Sequence, residues 1–493
     1  MNSFQKKALA AAVFAGLGSG AAMAGHVNPA GLGQFLIYPY YTVQQASGNA
    51  YNTYVTVVNT TTAGKAVKVR FREGKNSREV LDFNLYLSPQ DVWVGVISPA
   101  DSTTSSPGRL TTPDTSCTLP AIPATGVDFR NYAMVSAEDF VADKSLARTR
   151  EGYLEMYELA TVVDFAPRQL LTDITHTAAG VPLDCTSTGT VVATDFAAPN
   201  GGLAGTGTLI NVNNGSDTGY KAVAIANFQD APLTPTLGTE QGNATNADPW
   251  SVVTAAPSIG AAPGDQYYLS DWPSGVNAVS AMMMASQVYN EFILDTATKS
   301  ATDWVVTWPT KRFYYATATP WAATTPFTAA GTTAGACETI SFSYVNREER
   351  GAAATGADFS PPPPAGPAST LCWEANVVSI RGDNGTGASL VLGSQNVRDI
   401  RITTGAQNGW GTLSFTGTNA TTNGLVSLAS SVSGNWSTLA TVTASQRFLG
   451  LPTIGFMVRT FNNGTLTCGT ASCQGNYGAS FEHNFQRSIS PNI

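Results

Sequence analysis

Val67-Lys68-Val69-Arg70-Phe71-Arg72 alternates apolar and basic side chains without a break. Successive residues of a strand point to opposite faces, so a period of two marks a β-strand, whereas a helix returns its apolar stripe every three to four residues. The segment is predicted to be a strand with Val67, Val69 and Phe71 in a core and Lys68, Arg70 and Arg72 in water. Leu81, Phe83, Leu85 and Leu87 alternate with Asp82, Asn84 and Tyr86 in the same way, and Gly74-Lys75-Asn76-Ser77 lies between as a turn. Upstream, 54–58 ends in Asn59-Thr60-Thr61-Thr62-Ala63-Gly64. Downstream, Ser88-Pro89-Gln90 turns the chain into a strand over 92–97. Short strands with turn residues at about ten-residue spacing predict an antiparallel sandwich or barrel.

The same texture continues toward the C-terminus. Tyr153, Glu155 and Tyr157 alternate with Leu154, Met156 and Glu158, and strands are expected at 208–212 and 221–228 around Asn213-Asn214-Gly215. The apolar run 282–294 is read as a strand that Asp295-Thr296-Ala297-Thr298-Lys299-Ser300 turns into Trp304-Val305-Val306-Thr307-Trp308. Further strands are expected at 339–345, 373–380, 411–415, 454–461 and 479–485, with helix only in short pieces at 137–148 and 167–173. The predicted fold class is all-β: antiparallel β-sandwich domains with long Gly/Thr/Asn-rich loops and few short helices. The chain of 493 residues exceeds what one core usually covers. Two domains are expected, 25–325 and 326–493, divided within the Thr/Ala/Gly-rich stretch 322–335. Pro361-Pro362-Pro363-Pro364 falls between Cys337 and Cys372 and is read as a protruding loop.

The first 24 residues read as a secretory signal peptide. Lys6 and Lys7 precede the apolar run 8–17, and Ala22-Met23-Ala24 places small residues where a signal peptidase cuts, between Ala24 and Gly25. The apolar run is shorter than the ~20 residues that span a bilayer, and no later segment is apolar enough, so no transmembrane segment is expected after cleavage. The expected location is secreted: periplasm, cell surface or extracellular space. In an exported chain an even number of cysteines implies disulfides. Near neighbours in sequence lose least entropy on closing, which favours Cys117–Cys185, Cys337–Cys372 and Cys468–Cys473. Without a CxxC pair and with three histidines, neither a zinc site nor c-type haem is expected. No metal and no cofactor are anticipated.

The segment 36–98 resembles a family of secreted proteobacterial cell-surface β-proteins. The resemblance lies in Leu36-Ile37-Tyr38-Pro39-Tyr40-Tyr41, Val67-Lys68-Val69-Arg70-Phe71-Arg72-Glu73-Gly74 and Val80-Leu81-Asp82-Phe83-Asn84-Leu85. It covers about the first fifth of the chain. It implies an exported β-protein and brings no reaction and no functional residues.

Charged residues make up only 12% of the chain, against roughly 25% in typical domains. With 26 basic and 34 acidic side chains and no basic stripe, neither nucleic acid nor an acidic membrane surface is an expected partner. Chemistry is hard to find. The histidines are His26, His176 and His483, and beyond the leader there is no GxSxG elbow. Glu155 and Glu158 point to opposite faces of a strand, while Asp139, Asp143, Glu348 and Glu349 read as solvated charges. No DxDxDG calcium loop is present, and Asp265 and Asp271 read as polar loop residues among Tyr267, Tyr268 and Trp272. No catalytic residue is assigned.

Aromatic residues are the one positive signal. Tyr38, Tyr40 and Tyr41 form one group; Trp304, Trp308, Phe313, Tyr314 and Tyr315 form another beside Lys311 and Arg312. Exposed rings stack on sugars, so Trp304, Trp308, Tyr314 and Tyr315 are the candidate ligand-binding residues. The competing reading is that the rings fill a core. The functional expectation is a non-catalytic structural or adhesive component of the bacterial cell surface or matrix. Its partners would be copies of itself or cell-surface polymers, and 25–41 could donate a strand to a neighbouring copy. The alternative is an extracellular glycan-binding protein or polysaccharide hydrolase.

Overall fold

The computed structural model of the protein describes residues 24–491 except 47, 136–138, 237–240, 256–265, 315–324, 328–335, 348, 350, 355–368, 383–385, 403–406, 416–423 and 435–444. Residues 1–23, together with Asp265, Tyr315, Glu348 and the proline run, lie outside these residues. The chain is all-β, with antiparallel sheets, long loops and short helices.

The first sandwich is built from an eight-stranded and a six-stranded sheet. In the larger, Glu151–Val162 lies between Phe35–Thr42 and Gly64–Glu73, and Glu79–Leu87 follows beyond. In the smaller, Tyr51–Asn59 lies between Leu203–Asn211 and Val92–Pro99. Strand alternation sends Leu36, Tyr38, Val67, Val69, Phe71, Leu154 and Met156 to one side, where they meet Val55, Val57, Trp93 and Leu209 of the facing sheet in one core. The period-two reading of Val67, Val69 and Phe71 is thus met.

The other face of the eight-stranded sheet departs from expectation. Lys68, Arg70 and Arg72 are not in water; all three are buried. A second layer covers them. Arg70 donates from Nε to the Gly242 carbonyl at 3.1 Å and from Nη2 to that of Gln241 at 2.8 Å. Each cation also meets a carboxylate: Lys68 pairs with Asp82, Arg70 with Glu79, and Arg72 Nε with Glu155 at 2.6 Å. Asp139, read as a solvated charge, is likewise buried and held by Arg148 at 2.8 Å, which also grips Glu73. Burying a charge costs several kcal/mol unless it is paired and hydrogen-bonded, so opposite charges enter together. The surface is poor in charge partly because much of the charge is inside.

The second sandwich packs against the first. One five-stranded sheet places Ala301–Thr307 between Ala375–Arg381 and Ile454–Cys468, with Ala471–Glu482 at its edge. The other places Gln287–Ile293 between Asn408–Ser414 and Asn484–Gln486, with Ser341–Asn346 beyond. Strands from both sides of residue 325 share both sheets, so the boundary drawn there from composition falls within a hydrogen-bonded unit. Val305, Val377, Phe456 and Val458 join the core of the first sandwich, and Thr307 Oγ1 donates to the Pro39 carbonyl at 2.7 Å. One pairing, Ala375–Arg381 with Val397–Arg401, is parallel.

The stretch 282–294 is only partly a strand. Gly275–Met283 is a helix, capped by Ser274 and buried all round, and Gln287–Ile293 is the strand. The helix's polar Asn277 and Ser280 are buried too, bonded to Tyr314 and Thr310, so no solvent-facing stripe marks it in the sequence. Gly275 opens it because a Cβ there would lie 2.1 Å from the Ala247 carbonyl oxygen. The segment 25–41 is engaged within its own chain: His26–Val27 pairs with Val223–Ala226, and Phe35–Thr42 is an inner strand. All three disulfides pair as expected. Among the described residues, no helix is long and apolar enough to cross a membrane.

Candidate functional site

Three of the four candidate rings are core residues, and the fourth, Tyr315, lies outside the described residues. Trp304, Trp308 and Tyr314 are buried, so no sugar can stack on them. Trp304 packs on Phe342 with ring centroids 5.5 Å apart, and Trp308 on Phe327 at 5.9 Å. Their polar atoms are satisfied inside. Trp308 Nε1 donates to Thr453 Oγ1 at 3.0 Å, and Tyr314 donates to Ser280 Oγ at 2.9 Å. Lys311 is buried over the Trp308 ring, 4.7 Å from its centroid.

Different aromatics reach the surface, on the seam between the two sheets of the second sandwich. Tyr289, Trp410 and Phe481 are 37%, 49% and 46% exposed. They line a groove of about 620 Å³ with Asn290, Glu291, Arg459, Glu482 and Asn484. Strand register explains the grouping. Glu291 lies opposite Trp410 on the next strand, and Tyr289 lies opposite Asn484 on the other side. Phe481 and Arg459 come from the long hairpin of the adjoining sheet.

Trp410 faces outward because its neighbours cannot. A Cβ at Gly409 would strike the Val345 carbonyl at 2.4 Å, and one at Gly411 the Phe342 ring at 2.3 Å. These two positions therefore belong to the packed inner face, and the residue between them must point to water. The Gly409-Trp410-Gly411 triplet was the available sequence signal.

The groove has rigid walls. Asn290 Nδ2 donates to the Phe481 and Glu482 carbonyls, both at 3.2 Å. Beneath it His483 is fixed: Nε2 lies 2.9 Å from the Val305 carbonyl, which can only accept, so the proton is on Nε2. Nδ1 lies 3.3 Å from Asn290 Nδ2, whose two hydrogens are shared among this nitrogen and the two carbonyls. Burial pulls the His483 pKa down to about 4. Arg459 is held 3.2 Å from Glu291 with its guanidinium 4.8 Å from the centroid of the Phe481 ring. The site thus offers flat apolar faces rimmed by a guanidinium, carboxylates and amides.

Other candidates are internally committed. His176 approaches Ser88 Oγ at 3.1 Å and Asp91 at 3.6 Å, both through Nδ1, while Nε2 faces Thr115 Oγ1 at 3.2 Å. A nucleophile and its orienting acid must sit on opposite ring nitrogens. Ser88 and Asp91 share one, and Thr115 donates its proton to the Gly180 carbonyl. The group fastens loops near Cys117–Cys185. An apolar crevice of about 240 Å³ lies beside Met282 and Phe456, but Arg487 there donates to the Met282, Met284 and Thr254 carbonyls. Glu374 is fully buried, and its carboxyl oxygens have no hydrogen-bond partner among the described residues. Burial pushes its pKa up to about 8 against the opposing pull of Lys311 and Arg312.

The chain matches no family model, no curated protein and no solved structure.

Proposed function

We propose that the protein is an exported, non-catalytic adhesive component of the bacterial exterior that holds a glycan in the groove of Tyr289, Trp410 and Phe481. The observation that carries this reading is the exposure of three aromatic rings around one groove with polar groups at its rim. Sugar rings present apolar C–H faces and a periphery of hydroxyls. Flat rings take the former, and Arg459, Asn484 and the carboxylates take the latter. Export is supported by the leader-like start, the three disulfides and the resemblance of 36–98 to secreted surface proteins. Glu291 and Glu482 are both exposed, and Glu291 is engaged by Arg459. That favours binding over hydrolysis, which needs a carboxyl pair set across a scissile bond.

The test is a glycan array probed with the mature protein and with the Tyr289→Ala/Trp410→Ala double variant, followed by calorimetry on the hits. Saturable binding that the double variant loses while its unfolding curve stays in place is expected. No binding to any glycan, or equal binding by the variant, overturns the reading. Release of shorter sugars from a bound glycan overturns its non-catalytic part.

A further inference from the structure

We propose that Lys65 and Asn200 become joined by an isopeptide bond between the lysine Nζ and the asparagine Cγ, with Glu158 carrying the proton. Lys65 stands near the start of Gly64–Glu73, and Glu158 on the neighbouring strand Glu151–Val162, beside a register shift between Glu158 and Ala160. Asn200 lies in the Pro199-Asn200-Gly201-Gly202 turn, just before Leu203–Asn211 of the facing sheet. Gly201 and Gly202 adopt φ of +74° and +83°, which lets that turn fold back onto the strand pair.

Lys65, Glu158 and the Asn200-Gly201 turn form a closed knot. Lys65 Nζ donates to Glu158 Oε1 at 2.6 Å, to the Gly201 carbonyl at 2.7 Å and to Asn200 Oδ1. The Glu158 carboxylate also accepts from the backbone N–H of Asn200 at 3.0 Å and of Gly201 at 2.7 Å. The amine is thereby held against the carboxamide, with the carboxyl touching both residues. Neither the Lys65 nor the Glu158 side chain is exposed to water. Burial lowers the basicity of Lys65 and raises the pKa of Glu158. Both shifts favour passing the proton from Nζ to the carboxylate, which leaves a nucleophilic amine.

The step balances without a further reactant. The Nζ lone pair attacks Cγ of Asn200, the C–Nδ2 bond breaks, and Glu158 delivers the amine proton to the departing nitrogen. One amide replaces another and ammonia leaves; Asn200 is exposed, which gives ammonia a route to solvent. Holding amine and carbonyl in contact supplies the effective concentration that free amides lack. The product would tie the eight-stranded sheet to the turn feeding the six-stranded one, a covalent brace suited to an adhesive protein under pull.

The test is mass spectrometry of the purified mature protein, intact and after reduction and proteolysis. Expected are an intact mass lighter by one ammonia and a branched peptide joining the Lys65 and Asn200 segments. Lys65→Arg should lose both, and Glu158→Gln should lose or greatly slow them. Asn200-Gly201 can also expel ammonia by closing on itself, but the lost ammonia then maps to a linear peptide. That result, or an intact mass equal to the unlinked chain, overturns the proposal. Full cross-linking in a folded Glu158→Gln protein overturns the role of Glu158. If that variant fails to fold, the wild-type digest alone decides.

Discussion

Glu291 and Arg459 meet at 3.2 Å across the seam between the two sheets of the second sandwich, one residue from each sheet. Glu291 is largely exposed. Such pairs contribute about 0–1 kcal/mol to stability, so the contact matters more for where it puts the guanidinium. It holds Arg459 over Phe481, at the rim of the groove. Arg459→Met should leave the denaturation midpoint nearly unchanged. It should weaken glycan binding about tenfold, the loss expected for one or two hydrogen bonds from a charged donor. Titration calorimetry beside urea unfolding separates the two effects, and an equal loss in both would make Arg459 a structural residue.

Two tryptophans, one on each sheet of the second sandwich, should behave oppositely. Trp410→Ala removes a ring that is half in water, so stability should change by under about 1 kcal/mol while binding falls more than tenfold. Trp304→Ala empties a packed site between Phe342 and His483 and should cost roughly 3–5 kcal/mol. Thermal melts of the two variants check this contrast. A destabilised Trp410→Ala with intact glycan binding would move the functional site elsewhere.

That contrast also shows where sequence reading reaches and where it stops. Period-two alternation at 67–72 and 81–87 located strands correctly, because facing-sheet packing imposes the same period the chain carries. It cannot tell water from a second layer: Lys68, Arg70 and Arg72 read as outward, yet the Gln241–Gly242 backbone lies over Arg70 and Glu155 of the adjacent strand pairs with Arg72. The buried helix Gly275–Met283 escapes the pattern for a related reason: no face of it meets water, and its polar Asn277 and Ser280 bond inside to Tyr314 and Thr310. The clustering of Trp304, Trp308 and Tyr314 marked a dense core rather than a ligand site. The exposed rings at 289, 410 and 481 are far apart in the chain, and only strand register assembles them.

His483 supplies a pH signature. Its pKa is about 4 in the fold against 6.5 for the free side chain. Below pH 6.5 the unfolded chain takes a proton that the folded one refuses, so this contribution to stability is complete above pH 6.5 and lost as pH falls to about 4. At roughly 1.4 kcal/mol per pH unit the full loss is of the order of 3 kcal/mol. His483→Gln keeps an amide donor for the Val305 carbonyl and removes the titration. Its urea midpoint should therefore fall less than wild type between pH 7 and pH 4.5, and identical slopes would show that His483 titrates normally in the fold.

Glu374 should act in the opposite direction. Its carboxyl is fully buried with a pKa of about 8, against 4.5 for the free side chain. Between those values the folded chain keeps a proton that the unfolded chain releases. The contribution is fully present below pH 4.5 and is lost as pH rises to about 8. Glu374→Gln preserves the shape and cannot ionise. The variant should match wild type near pH 4.5 and exceed it by a margin that grows to a few kcal/mol at pH 8. Lys311, itself drawn down to about 8 by burial and facing Glu374, Glu338 and the Ala336 and Cys372 carbonyls, keeps its backbone partners in the variant. Denaturation curves at pH 5, 6.5 and 8 test this. A constant difference across that range, or a variant less stable at pH 8, would mean that the carboxylate is ionised and needed by Lys311 and Arg312.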